Sequence, residues 1–253
     1  MTDEELLEHN RAGFIPGPQE SEEKYLRRIE STKAAYLKLG VAAIPSSHWE
    51  WVEKKILDGF DFVPRCLPAF YSNRSLAPWQ GAAAWVERDQ ILAIQLREAF
   101  KKGTFLKIYS RSEILAHEAV HAARSAFPVD PWDEYFAYMT SEKVWRRALG
   151  PIVRRPWEVW PLLAAFIVGP FLPLSFLFAS VWIGLGFIRL IRGHFILKKA
   201  SLALQKKGLS NDQVRHILFR LTNVEIQKLA KGKDLSEEQT LRWQLLNIYL
   251  RNK

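Results

Sequence analysis

Residues 110–127 read "SRSEILAHEAVHAARSAF", and this stretch organises the rest of the chain. Only six histidines occur in 253 residues, and two of them, His117 and His121, lie four apart. A helix turns about 100° per residue, so their imidazoles share one face, one turn apart, and can converge on one small ion. Zn²⁺ accepts such neutral nitrogen ligands readily. Glu118 is rotated off that line and can act as a general base without competing as a ligand. "HEAVH" is thus a literal HExxH motif, and its chance occurrence in a chain of this composition is on the order of one in a hundred. The alternative is a pair of core histidines on a buried helix. Ser110 suits the N-cap, with Glu113 as fourth member of a capping box, and Phe127-Pro128 ends the helix.

On the N-terminal side, from Leu67, come short β-type runs: "AFYSN", "GAAAWVE", "QILAIQLR" and "TFLKIYS". Polar or turn-prone residues separate them, which predicts a small, mostly antiparallel sheet. On the C-terminal side, Asp130 suits the cap and Pro131 the first position of a second helix. This helix is predicted through "WDEYFAYMTSEKVWRRAL" to the stop at Gly150-Pro151.

A catalytic zinc site has three protein ligands and an open position. With its HExxH helix, preceding strands and following acidic helix, the region 68–149 resembles the zincin metallopeptidases. The metzincin branch continues with glycine and a third histidine, where this chain has Arg124 and Phe127. The gluzincin branch takes a glutamate from the next helix, which by resemblance nominates Glu134, with the neighbouring Asp133 as fallback. Both acids also suit a helix N-terminus for purely electrostatic reasons. The resemblance implies peptide hydrolysis with Zn²⁺ held by His117, His121 and Glu134, Glu118 as base, and "TFLKIYS" as an edge strand for an extended substrate. Tyr138, one turn beyond Glu134, or Arg124, one turn beyond His121, is placed to stabilise an oxyanion. Core packing and a salt bridge are their respective alternatives.

Farther on, residues 159–188 carry no charge, a run longer than the roughly 20 residues that one membrane span needs. "GPFLPL" breaks it in the middle, so a helical hairpin that enters the membrane and returns is predicted. A hairpin buried in a soluble core and a single crossing near 171–191 are the alternatives. Arg146, Arg147, Arg154 and Arg155 precede the run; Arg189, Arg192, Lys198 and Lys199 follow it. Positive charge at both ends favours the cytoplasmic side for both. Trp157, Trp160 and Trp182 suit headgroup depth.

The net charge of +9 points to an anionic partner, lipid or nucleic acid. Residues 18–39 and "SSHWEWVEKKILDGF" read as helices, the first closed by Gly40 and the second capped by Ser46 or Ser47. The acidic N-terminus lacks the pattern of a secretory signal. Cys66 is the only cysteine, read as a small buried apolar residue, and it excludes an intramolecular disulfide. Residues 198–253 read as short amphipathic helices, with Thr222 and Glu225 as a capping box. Their basicity raises DNA binding, but without a recognition-helix signature a packing bundle is favoured and nucleic acid is an unlikely partner.

The predicted class is α+β: a small, mostly antiparallel sheet, an HExxH helix with a following ligand helix, an apolar membrane hairpin and a C-terminal helical region. The boundaries fall at 1–66, 67–150, 157–192 and 198–253. The expected function is a membrane-associated zinc metallopeptidase acting on peptide or protein substrates. A membrane-anchored regulatory or scaffold protein with a non-catalytic zincin-like domain is the alternative.

Overall fold

Two capped helices open the chain in the computed structural model, which describes all residues except 41–42, 65–66, 79, 88–89, 129–130, 236–237 and 252–253. Cys66 and Asp130 therefore lie outside the described residues. Thr2 and Glu5 form a reciprocal capping box for α1, Asp3–Arg11. Ser21 caps α2, Glu22–Leu39, and Gly40 closes it at φ 47°, a conformation that glycine adopts without a Cβ penalty. Next, α3 spans Glu50–Phe60. Ser46 and Ser47 do not cap it as the sequence suggests: they lie in a single 3₁₀ turn, and Trp49 holds the N-cap position.

The predicted strands form a mixed sheet. In β1 (Ala69–Tyr71), β2 (Ala82–Glu87) and β3 (Gln90–Leu96) the spatial order is β1-β3-β2. The β2–β3 pair is an antiparallel hairpin, whereas β1 runs parallel to β3. "TFLKIYS" is not an edge strand of this sheet. It folds into a separate two-stranded hairpin of β4, Thr104–Phe105, and β5, Tyr109–Ser110. Leu106 and Lys107 make its turn at positive φ, which reverses the chain before a longer strand can form.

The HExxH stretch is α4, Arg111–Ala123, and the Ser110 hydroxyl accepts from the Glu113 N–H as expected of an N-cap. The predicted capping box is incomplete, because the Glu113 carboxylate turns inward instead. It accepts from Ser141 Oγ at 2.7 Å, Glu142 N at 2.9 Å and Arg146 Nη1 at 2.6 Å. The same bonds explain a second departure. The long helix predicted up to Gly150 breaks into α5, Trp132–Met139, and α6, Val144–Leu149. Thr140 Oγ1 bonds back to the Ala137 carbonyl, and Glu113 draws Ser141 and the Glu142 amide out of helical register.

Two apolar helices follow, α7 (Trp160–Val168) and α8 (Leu174–Gln205). They lie antiparallel, since Ala165 O accepts from Ser175 Oγ and, farther from the turn, Glu158 O accepts from Trp182 Nε1. A Cβ at Gly169 would run into the Phe176 ring, so glycine permits the close approach. The second helix does not end with the apolar run; it continues as one rod of about 48 Å through the basic flank. Its first half is mostly exposed, and its second half buries Leu190, Gly193, Ala200 and Leu204. It is long and apolar enough to cross a membrane.

Finally, α9 (Asn211–Phe219), α10 (Asn223–Ala230) and α11 (Leu241–Arg251) pack into the same core as the N-terminal helices. The Thr222–Glu225 box is present, and Arg242 grips its glutamate with two bonds of 3.0 and 2.8 Å. Phe219 is an aromatic hub, with ring centroids 4.4 Å from Phe60 and 5.5 Å from Phe136. Such pairs contribute about 0.5–1.5 kcal/mol each beyond their buried area, and these brace α5 from behind.

Candidate metal centre

On α4 the apolar residues Leu115, Ala116, Ala119 and Val120 are buried against the core, which fixes the helix's rotation. That rotation turns His117 and His121 toward α5, and their Nε2 atoms lie 3.2 Å apart. Glu134, in the first turn of α5, meets both. Its Oε2 is 3.6 Å from His117 Nε2, and its Oε1 is 3.5 Å from His121 Nε2. Those distances are long for direct hydrogen bonds. They match the edges of a coordination tetrahedron, because ligand bonds of 2.0–2.1 Å imply donor atoms about 3.3–3.4 Å apart. Among the described residues these three form the cluster whose donor atoms lie within 4.8 Å of one another. Two imidazoles, one carboxylate and an open side is a donor set suited to catalytic Zn²⁺.

Burial sets the charge state. Desolvation, reinforced by His121 and Arg146, holds His117 well below its ordinary pKa, and burial also lowers His121. Both rings are therefore neutral at neutral pH, the form that ligates a metal. Burial raises Glu118 to about 7. Burial first, then the charges of Glu118, Asp133 and Glu158, raise Glu134 to about 8. Carboxyls clustered in a partly buried site resist ionisation unless a cation joins them.

No protein-family model, curated protein or solved structure matches this chain.

Two ion pairs, the first buried and the second with Asp133 partly exposed, hold the donors in place. At one end of α4, Glu113 and Arg146 tie the helix to α6. At the other, Arg124 Nε donates to Asp133 Oδ1 at 2.6 Å, while its Nη1 donates to the carbonyls of Phe219 and Leu221. The Arg124 side chain is 1% exposed, so it positions α5 and does not reach a substrate. Asp133 faces Arg124, and its neighbour Glu134 faces the histidines. Sequence reasoning assigned Glu113 to a cap and so missed the first pair. The available signal was the four-residue spacing of Glu113, His117 and His121, which puts a carboxylate on the histidine face.

A cleft of about 280 Å³ opens onto the site. Gly81 and Ala82 at the start of β2, together with His117, Glu118, Glu134 and Tyr138, form part of its wall. Ala82 of β2 and Tyr109 of "TFLKIYS" both border the site, so that stretch reaches the cleft through its hairpin rather than as an edge strand of the three-stranded sheet. Tyr138 packs edge-on to His117 at 4.8 Å between ring centroids, and burial raises its pKa, so it stays an O–H donor. His9, His48, His194 and His216 stand apart from this cluster.

Proposed function

We propose that this chain is a membrane-associated zinc metallopeptidase of zincin, gluzincin-like type. The observation that carries the reading is the convergence of His117, His121 and Glu134 beside Glu118 in an open cleft. When bound there, Zn²⁺ supplies Lewis-acid polarisation of a carbonyl and acidifies water. His117 and His121 would hold it with their imidazoles, and the Glu134 carboxylate would neutralise part of its charge. Glu118 takes one proton from the attacking water and passes it to the leaving amine as the C–N bond breaks and the new C–O bond forms. Burial raises its carboxyl to about 7 in the metal-free site, and a cation beside it favours the ionised form that a base needs. Tyr138 donates its hydroxyl to the developing oxyanion.

The membrane half of the reading rests on the hairpin of α7 and α8. Phe171 at its turn is 87% exposed and Ile167 73%, apolar surface that water does not favour. Lipid is the partner suited to it, and the basic flanks, Arg154 and Arg155 before and Arg189 and Arg192 after, favour both ends at the cytoplasmic face.

Metal analysis beside peptide cleavage tests the proposal. Wild type should hold roughly one equivalent of zinc and His117→Ala should lose it. Glu118→Gln should keep zinc and lose cleavage. Zinc-free wild type from zinc-supplemented buffer would end the proposal in favour of a scaffold role, and a Glu118→Gln variant that still cleaves would end the assignment of Glu118 as the base.

A further inference from the structure

The cleft and the apolar hairpin share a wall. Val153, Arg154, Arg155 and Val159 line the cleft, and α7 begins at the next residue, Trp160. Trp157 and Trp160 are exposed by 52% and 57%, and indole rings at such a position favour headgroup depth. One peptide bond therefore separates the rim of the cleft from the first residue of the apolar layer.

The joint between them is braced. The Glu158 carboxylate, buried at the base of α7, accepts two bonds from Arg189, at 3.0 and 2.8 Å, and one from the Arg154 N–H at 3.0 Å. The Arg154 guanidinium donates to the Tyr135 hydroxyl at 3.0 Å, and that hydroxyl donates to the Leu190 carbonyl at 3.0 Å. Tyr135 directly follows Glu134 on α5. A Cβ at Gly193 would collide with the Tyr135 hydroxyl, so α8 passes as close to α5 as glycine allows. The metal-site helix, residues 152–159 and α8 are thereby linked, and the depth of the hairpin fixes the height of the site.

From this we infer that the cleft takes peptide segments of membrane-anchored polypeptides, cut within a few residues of the bilayer surface. The inference rests on the peptidase reading above and adds a substrate class to it. The polar layer outside the hydrocarbon is roughly 6 Å deep on each side, and an extended chain advances about 3.3–3.6 Å per residue. About two extended residues cross that layer, so a cleft whose rim meets it, with one to four more residues entering the cleft, is reached by roughly three to six residues beyond an anchor. A site carried well above the membrane would need a far longer tether.

The test uses the full-length, zinc-loaded protein in vesicles of phosphatidylcholine with about one-fifth phosphatidylglycerol. The substrate is a pool of quenched fluorogenic peptides with randomised cleavage segments, offered free or lipid-anchored through Gly/Ser spacers. Spacers of about 5 and about 30 residues reach roughly 12 and 30 Å. Glu118→Gln in the same vesicles gives the background. The short-spacer pool should be cut at least as fast as the long-spacer pool, and at least tenfold faster than the free pool. Cleavage of only the long-spacer and free pools would overturn the inference while leaving the peptidase reading intact. Zinc-loaded protein that cuts no pool would remove the peptidase reading and the inference with it.

Discussion

Metal binding at this site should release a proton, and the structure sets where. Burial, with the charges of Glu118, Asp133 and Glu158, holds the Glu134 carboxyl at about 8. Burial holds both imidazoles below their ordinary range, so above pH 6.5 they need lose nothing to ligate. Glu134 must ionise first. With a pKa of about 8 its ionised fraction rises from about 1% at pH 6 to about one-half at pH 8. Zinc affinity should then tighten roughly 50-fold over that interval, about 2.3 kcal/mol. The sign is that of a raised carboxyl: affinity is lost as pH falls below about 8. Competition against a chelating dye in the Glu118→Gln background isolates the effect, because that change removes the carboxyl raised to about 7. Burial, the largest cause of the Glu134 shift, persists there, while the lost Glu118 charge makes the slope shallower than 50-fold. Glu134→Gln added to that same background should bind weakly with a flat profile. A pH-independent affinity in Glu118→Gln, or the same slope in Glu134→Gln, would refute the assignment of Glu134 as the third ligand.

Three further outcomes are expected. Arg124→Ala removes a buried guanidinium from Asp133 and from the Phe219 and Leu221 carbonyls, and should cost about 3–5 kcal/mol in urea unfolding; a loss under about 1 kcal/mol would deny it a positioning role. Gly193→Ala drives a methyl into the Tyr135 hydroxyl and should destabilise by about 1–3 kcal/mol, read as a lowered thermal midpoint in detergent. Phe171→Arg at the hairpin turn should weaken vesicle partitioning by about 2.5–3.5 kcal/mol without altering zinc content, and unchanged flotation with vesicles would count against insertion.

Local rules read well wherever one helix or strand decides. The face shared by His117 and His121 follows from four-residue spacing, and Ser21, Ser110 and Thr222 cap their helices because a hydroxyl there meets an otherwise orphaned N–H. Strands β1, β2 and β3 follow from short apolar runs between turn residues. The misreadings share one cause. Glu113 suited a capping box by sequence, and an uninterrupted helix over 131–149 suited the pattern. The buried Arg146, thirty-odd residues away, draws the Glu113 carboxylate inward and breaks that helix at Thr140–Ser141. Similarly, "TFLKIYS" has strand composition, yet positive φ at Leu106 and Lys107 folds it back on itself.

By itself, then, the sequence determined the mixed α+β class, the HExxH face with its off-axis glutamate, and an uncharged segment broken near its middle. These are periodicities of 3.6 and 2 and runs of like polarity, properties a chain carries before it folds. Only the tertiary structure decided that Glu134, not Asp133, meets the histidines, that Arg124 is held behind the site, and that the cleft abuts the hairpin. Each depends on which distant groups share a buried space. Removal from water obliges every charge there to find a partner, and the choice of partner belongs to the fold.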